Sequence, residues 1–161
     1  MKYLYLRNIF QNKYLYISNY YMNISNKLCD LFYVLFPIIS GYITIYFCPM
    51  SNKKVKNLNF RPPSYVFGII WPILYLLLGV AWLKSKEFSL WYLLLSLILC
   101  LWLIVYSCKN NKHLALAIIL ISIGLVLVCY TVSKQISKLL LIPLLVWLSF
   151  ASLLSIFDLH F

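Results

Sequence analysis

Acidic residues are nearly absent from this sequence, which carries 3 Asp and Glu among 161 residues, against 14 Lys and Arg and a net charge of +11. Charged residues of both signs make up 11% of the chain, well below the share of about a quarter that is typical of soluble domains. The basic residues are spread over both ends of the apolar runs, which argues against a nucleic-acid-binding surface. The composition therefore excludes an ordinary soluble domain and favours attraction to anionic lipid headgroups as the role of the positive charge.

The sequence also lacks the cysteine and histidine patterns of disulfide-rich and metal-binding proteins. Its 5 cysteines are odd in number, contain no C-x-x-C pair and lie largely in apolar runs, so we expect small packing residues rather than a disulfide framework or a zinc site. His113 and His160 are isolated from each other and from carboxylates, so neither a metal nor a resident cofactor is predicted. No Ser-His-Asp arrangement is visible, which disfavours a hydrolase of that type.

Long apolar runs are what the sequence has in abundance, since 64% of its residues are hydrophobic. The runs are close in length to the ~20 residues that span the core of a bilayer. They predict five transmembrane helices at about residues 29–47, 64–83, 89–107, 113–132 and 137–158. Because the loops are short, consecutive helices should be antiparallel neighbours. The predicted fold class is all-α, an integral, multi-pass membrane bundle of five transmembrane helices.

The predicted spans contain no ionisable residue in a central position. Asp30 and Asp158 fall at predicted helix ends, and Glu87 falls in a loop. Ion-coupled transporters, pumps and voltage sensors need ionisable groups at membrane depth, so a proton- or ion-driven mechanism is disfavoured. The basic residues divide almost evenly between the two sides and do not orient the bundle. Trp82 and Trp91 flank the loop at residues 84–87 and are expected to anchor it at the membrane interface.

The first 28 residues differ from the rest of the chain. They are basic and rich in Tyr and Asn. Organelle-targeting peptides are usually rich in Arg and Ser, so this composition fits one poorly and favours a weakly ordered extension, with Met22 as an alternative start. We expect two parts, a basic N-terminal extension at residues 1–28 and a membrane domain at residues 29–161.

The most informative stretch runs from residue 60 to residue 79. Pro62 and Pro63 suit the start of a helix because their φ angle is already set. Four large side chains then recur at spacings of four, three and four residues, which lines one helix face: Trp71, Tyr75, Leu78 and Trp82. Gly68 and Gly79 leave space for a neighbouring helix or a flat ligand.

This stretch resembles the second-helix pattern of the TspO/translocator protein family, W-x-P-P-x-W-V-x-G-x-x-W-x-x-L-Y-x-x-M-G. The matching positions are Phe60, Pro62, Pro63, Tyr65, Val66, Gly68, Trp71, Leu74, Tyr75 and Gly79. Residues 140–155 are similar to the family's fifth-helix pattern, L-L-x-P-Y-x-x-W-x-x-F-A-x-x-L-N, with Pro143, Trp147, Phe150 and Ala151 in place. Two matches in the right order are stronger than either alone.

The resemblance implies a pocket for a flat hydrophobic ligand, most readily a porphyrin or haem-type tetrapyrrole, beneath the loop between the first two helices. Family tryptophans at the positions of Trp71 and Trp147 face this pocket, and in bacterial members they are implicated in light- and oxygen-dependent porphyrin breakdown. They are therefore the candidate catalytic residues, although whether this chain is an enzyme stays open. The implied ligand-binding residues are Arg61, Pro62, Tyr65, Gly68, Trp71, Tyr75, Trp102, Pro143, Trp147, Phe150 and Ala151. Lys53, Lys54, Lys56 and Arg61 are the loop cations that could meet porphyrin propionates.

The resemblance also implies a homodimer, which in the family forms through small residues of the third helix. Here those residues are sparse: Ser89, Ser96, Cys100 and Ser107. Several polar family positions are apolar in this chain, such as Leu144 and Ile118. Alternatives to the tetrapyrrole site are therefore a sterol (cholesterol) or lipid carrier without chemistry, and a partner-binding scaffold with a vestigial pocket. The membrane stays open between the mitochondrial outer membrane and another intracellular membrane.

Overall fold

The computed structural model describes residues 26–48, 63–109 and 111–160. Within these residues the chain forms five helices long and apolar enough to cross a membrane. They are α1 (Asn26–Phe47), α2 (Ser64–Lys84), α3 (Ser89–Ile104), α4 (Lys112–Val132) and α5 (Gln135–His160). A 3₁₀ turn at Lys86–Phe88 precedes α3, and a π-helical turn at Val105–Lys109 follows it. The predicted all-α fold class is confirmed.

The chain divides into two compact units, Met1–Phe32 and Tyr33–Phe161. The described part of the first unit is the beginning of α1, and the second unit contains the rest of α1 and the other four helices. The proposed boundary after residue 28 therefore stays a prediction. The membrane domain discussed below is the second unit.

Local chemistry explains where the helices begin and end. Pro63 is the N-cap of α2 and its carbonyl accepts a bond from the N–H of Val66 at 3.0 Å, as the proline pair predicts. Asn111 caps α4, because its side-chain oxygen accepts a bond from the N–H of Leu114 at 3.0 Å. Pro72 and Pro143 lie inside α2 and α5. Transmembrane helices tolerate such prolines because neighbouring groups bond to the carbonyls they free.

Packing between the helices of the second unit follows a simple order. α5 contacts α2 and α4, α4 contacts α3, and α2 also contacts α3. α1 lies against α2, where glycine allows close approach. A Cβ added to Gly79 would lie 2.5 Å from the carbonyl oxygen of Val34, and one added to Gly41 would lie 2.5 Å from the Tyr75 ring. The backbone of Gly79 thus contacts the backbone of α1, as close helix packing in membranes requires.

Cys48 and Cys108 form a disulfide, which corrects the expectation that all the cysteines are packing residues. The two residues are 60 positions apart in sequence, with Cα atoms 5.3 Å apart. An odd number of cysteines and the lack of a C-x-x-C pair give no information about a disulfide between residues so far apart in sequence. The pairing follows from topology: α1 and α3 run in the same direction, so the residues that follow both helices reach the same side of the bundle. The thiols of Cys100 and Cys129 are free and buried, and that of Cys29 is free and exposed.

Trp82 is 2% exposed, so its predicted role as an interfacial anchor is wrong. Its ring stacks on Tyr92, with centroids 6.2 Å apart, and contacts Tyr33 at 5.4 Å. The hydrophobic periodicity that places Trp82 on the face of Trp71 and Tyr75 also turns it towards the core. Trp91 is 38% exposed, which agrees with an interfacial position.

The small residues of α3 face the interior of the bundle rather than a partner. Ser96 is 0% exposed and Cys100 is 9% exposed. The outward face of α3 instead carries a row of leucines: Leu90, Leu94, Leu97 and Leu101. A homodimer through α3 would have to use this leucine surface, and the dimer stays a prediction.

Candidate ligand-binding site

An aromatic row joins α2 to α3 in the interior of the bundle. Its four rings are Tyr75, Trp71, Trp102 and Tyr106. The centroids of successive rings lie 5.5, 5.3 and 5.3 Å apart. Each helical segment contributes two rings at a spacing of four residues, which places them on one helix face. The contact between Trp71 and Trp102 joins the two pairs. Offset and tilted pairs at these distances are favourable aromatic contacts.

Three of the four rings of the aromatic row, Trp71, Tyr75 and Trp102, are deeply buried and carry hydrogen-bond donors that have no partner among the described residues. Trp71 is 1% exposed, and Tyr75 and Trp102 are each 3% exposed. Among the described residues, the indole N–H groups of both tryptophans and the hydroxyl of Tyr75 have no hydrogen-bond partner. A buried donor without a partner costs about 1–3 kcal/mol. Three such donors on adjoining side chains are therefore unusual in a well-packed core and mark this row as a place where an acceptor is missing.

A second aromatic group, called the α5 group below, lies between α2 and α5. The Trp147 ring contacts Phe67 in an edge arrangement at 5.4 Å, and Phe150 at 5.6 Å. Trp147 is half-buried, and its indole N–H has no hydrogen-bond partner within the part of the chain that the structure describes. Phe67 and Trp71 are four residues apart on α2, so the two groups lie on neighbouring turns of one helix face. α2 thus carries part of the aromatic row and part of the α5 group.

The other site residues predicted from the sequence divide between interior and surface. Ala151 is buried at 4% exposure, one residue after Phe150 on α5. Tyr65 is 67% exposed and Pro143 is exposed. A Cβ added to Gly68 would meet no other described part of the chain within 4 Å beyond its own helical backbone and chain neighbours. These last three are therefore not part of the buried aromatic groups. Arg61, Pro62 and the loop lysines at positions 53, 54 and 56 lie outside the described residues.

Two aromatic residues of these groups were not predicted from sequence. Phe67 contacts Trp147, and Tyr106 stacks on Trp102 at an interplanar angle of 19°. Each lies four residues from a predicted site tryptophan on the same helical segment, Phe67 before Trp71 and Tyr106 after Trp102. Extending the four-residue spacing by one step on α2 and α3 would have found both.

The chemistry of the two groups is that of a planar, apolar binding site with a few hydrogen-bond donors. The indole and phenol rings offer flat faces for stacking. Their N–H and O–H groups can donate to oxygen or nitrogen atoms of a ligand. The side chains of both groups carry no charge at neutral pH, so charge recognition would have to come from outside them.

Comparison with known proteins identifies the family of this chain. The TspO/MBR family pattern matches residues 31–157, a range that includes all of α2, α3 and α4 and the tryptophan of α5. The chain is also 32% identical over 149 residues to the tryptophan-rich protein TspO of Archaeoglobus fulgidus, and the alignment covers 83% of this chain and 95% of that protein. The chain therefore belongs to the TspO/MBR family of multi-pass membrane proteins.

Proposed function

We propose that this protein binds a flat hydrophobic ligand of the tetrapyrrole class, a porphyrin or haem, at its two aromatic groups. One observation carries the proposal. Four buried donors, those of Trp71, Tyr75, Trp102 and Trp147, lack a hydrogen-bond partner among the described residues. A tetrapyrrole has a large π surface that stacks on indole faces. Its peripheral carboxylates accept hydrogen bonds from N–H and O–H groups, so it would also supply the missing acceptors.

Binding of such a ligand requires side chains to move. Trp71 is 1% exposed, so a ring that stacks on its face must first displace the side chains that cover it. Trp147 is half-buried and is therefore the more accessible of the two tryptophans. We infer that a ligand can contact the α5 group directly, whereas binding at the aromatic row needs a local rearrangement that uncovers its rings. Slow association is the kinetic signature of such a step.

The first experiment is a titration of the purified full-length protein in detergent with protoporphyrin, and separately with cholesterol. Trp71→Phe and Trp147→Phe keep a flat apolar wall but remove the indole N–H donor, so each should weaken porphyrin binding by about 1–2 kcal/mol. The matched control is Trp91→Phe, because Trp91 is partly exposed and belongs to neither aromatic group. Saturable binding of protoporphyrin that responds to Trp71 and Trp147 but not to Trp91 supports the proposal. Preferential binding of cholesterol would favour the sterol carrier instead.

A light-driven reaction is the finer part of the proposal. Light would excite the bound porphyrin, molecular oxygen would be the oxidant, and Trp71 and Trp147 would be the nearest oxidisable side chains. Loss of the porphyrin absorption band should then be much slower in the double Phe variant than in the wild type, measured at saturating porphyrin so that weaker binding does not imitate slower chemistry. Equal bleaching rates would reduce both tryptophans to binding or packing residues.

The second candidate function is a partner-binding membrane scaffold with a closed pocket. The near-complete burial of Trp71, Tyr75 and Trp102 favours it, because their rings already satisfy one another's stacking surfaces. If neither protoporphyrin nor cholesterol binds, and quenching of the buried tryptophans is unchanged by either ligand, this function is the better account.

A further inference from the structure

The Cys48–Cys108 bond joins α1, which contacts one ring of the aromatic row, to the π-helical turn, which carries another ring of the row. Cys48 directly follows α1, and Cys108 lies in the π-helical turn that ends α3. On α1, Gly41 contacts the ring of Tyr75. On the α3 side, Tyr106 of the same π-helical turn stacks on Trp102. The covalent link thus holds the α1 wall and the α3 wall of the row together at one end of the bundle.

The local structure around Cys108 suits a place where the end of α1 can separate from the π-helical turn. Cys108 is exposed while Cys48 is 8% exposed, so Cys108 is the more accessible residue of the pair. Val105–Lys109 is a π-helical turn, a form that is rare in proteins and frequent at functional sites. The Sγ atom of Cys108 also lies 3.9 Å from the carbonyl oxygen of Phe47, the last residue of α1. The disulfide and the approach of Cys108 Sγ to the Phe47 carbonyl both require the end of α1 to stay beside the π-helical turn.

We propose that the Cys48–Cys108 disulfide is a thiol–disulfide exchange site that controls access to the aromatic row from the side where α1 contacts it. This inference rests on the proposed ligand site. In the oxidised protein the bond keeps Tyr75, Trp71 and Trp102 covered. In the reduced protein the end of α1 separates from the π-helical turn, and the row becomes accessible to a ligand.

The exchange step is balanced with a dithiol as the reductant. A thiolate of the dithiol attacks the sulfur of the more accessible residue, Cys108, forms a mixed disulfide and releases Cys48 as a thiolate, which takes a proton from water. The second thiolate of the reductant then attacks the reductant's other sulfur, the one bonded to Cys108 in the mixed disulfide, and releases Cys108 as a thiolate that also takes a proton from water. The cysteines gain two electrons and two protons in all, and the dithiol leaves as a cyclic disulfide.

The first test measures opening without any ligand. Acrylamide quenching of tryptophan fluorescence is compared before and after dithiothreitol, in full-length protein carrying Trp91→Phe to remove the signal of an exposed tryptophan. We expect quenching to increase on reduction and to be high from the start in Cys48→Ser. Cys29→Ser is the matched control, because Cys29 is an exposed thiol outside the disulfide, and it should behave like the wild type. Mass spectrometry without reductant should find the wild type lighter by two hydrogens than its reduced form.

The second test adds protoporphyrin and follows its association by stopped flow. We expect reduction to raise the association rate about tenfold, the change produced when the open fraction rises from about one-tenth to nearly all molecules. Quenching that rises on reduction, without porphyrin binding in either state, supports the switch and overturns the ligand proposal. Porphyrin binding that is equally fast in both states supports the ligand site and overturns the switch. Identical masses with and without reductant would also overturn the switch, because no disulfide would then exist.

Discussion

At the scale of single residues, Gly79 is the position where side-chain volume matters most. An added Cβ would lie 2.5 Å from the carbonyl oxygen of Val34 and 2.8 Å from its Cα, and these are backbone atoms that cannot rotate away. Gly79→Ala should therefore push α1 off α2 and lower the free energy of unfolding by about 1–3 kcal/mol. Thermal unfolding in detergent, followed by tryptophan fluorescence, measures the change.

The matched control is Gly68→Ala on the same helix. Among the described residues, no atom outside its own helical backbone and chain neighbours lies within 4 Å of the Cβ that it would add. In open space alanine favours a helix over glycine by up to about 1 kcal/mol, so this variant should unfold at the wild-type temperature or slightly above it. An equal loss of stability in both variants would contradict this account, because helix propensity favours alanine and the loss would then not depend on contact with α1.

At the scale of elements, a chain of hydrogen bonds clamps the end of α2 to the start of α5. The N–H of Lys134 donates to the Oγ of Ser85 at 3.1 Å, and the Oγ of Ser137 donates to the carbonyl of Ala81 at 2.8 Å. The two serine hydroxyls lie 2.9 Å apart. Because Ser137 gives its one proton to Ala81, Ser85 must donate to Ser137. Such a chain of aligned bonds is stronger than separate bonds.

Ser137→Ala should break this clamp. The substitution leaves the carbonyl of Ala81 and the proton of Ser85 without these partners in a buried site, which costs about 1–3 kcal/mol. Unfolding in increasing denaturant measures the loss, and Ser149→Ala is the control, because Ser149 is exposed and its hydroxyl donates within its own helix, to Leu145. A Ser137→Ala variant as stable as Ser149→Ala would mean that water replaces the missing hydroxyl.

The disulfide acts at the same scale, between α1 and the π-helical turn. For a sequence separation of 60 residues, the chain-entropy relation gives a stabilisation of up to about 4 kcal/mol. The membrane lowers this figure, since helices that stay inserted after unfolding have less freedom to lose. Dithiothreitol should therefore lower the unfolding temperature of the wild type but not that of Cys48→Ser. Equal shifts in both proteins would point to an effect of the reductant elsewhere.

At the scale of the whole molecule, five spans put the two chain termini on opposite sides of the membrane. The odd number also places Cys108 on the side of the C-terminus and the turn that contains Glu87 on the other side. Single cysteines are labelled with a membrane-impermeant maleimide. One marker is Cys108, freed by Cys48→Ser, and the other is the cysteine introduced by Glu87→Cys. In each protein the marker is the sole exposed thiol. We expect labelling from opposite sides, with Cys108 on the side of a C-terminal tag. Labelling of both markers from one side contradicts the five-span topology.

The sequence by itself determined the all-α membrane fold class, the number of transmembrane spans and the family of this protein. A bilayer forces every backbone group to bond within its own segment, so length and apolarity are enough to locate helices. The starts of α2 and α4 lie within one residue of prediction, the first marked by the proline pair and the second by the beginning of the apolar run. The two tryptophan-containing patterns identified the family, because they do not depend on how the helices face one another.

Only the tertiary structure decided which helix faces meet. The lipid-facing side of a transmembrane helix is as apolar as its buried side, so hydrophobicity carries almost no information about orientation. Trp71 therefore contacts Trp102 of α3, Trp82 is buried rather than interfacial, and Cys48 finds Cys108 across 60 residues. These pairings depend on the parallel course of α1 and α3 and on the close contact at Gly79, which exist only once all the helices have assembled.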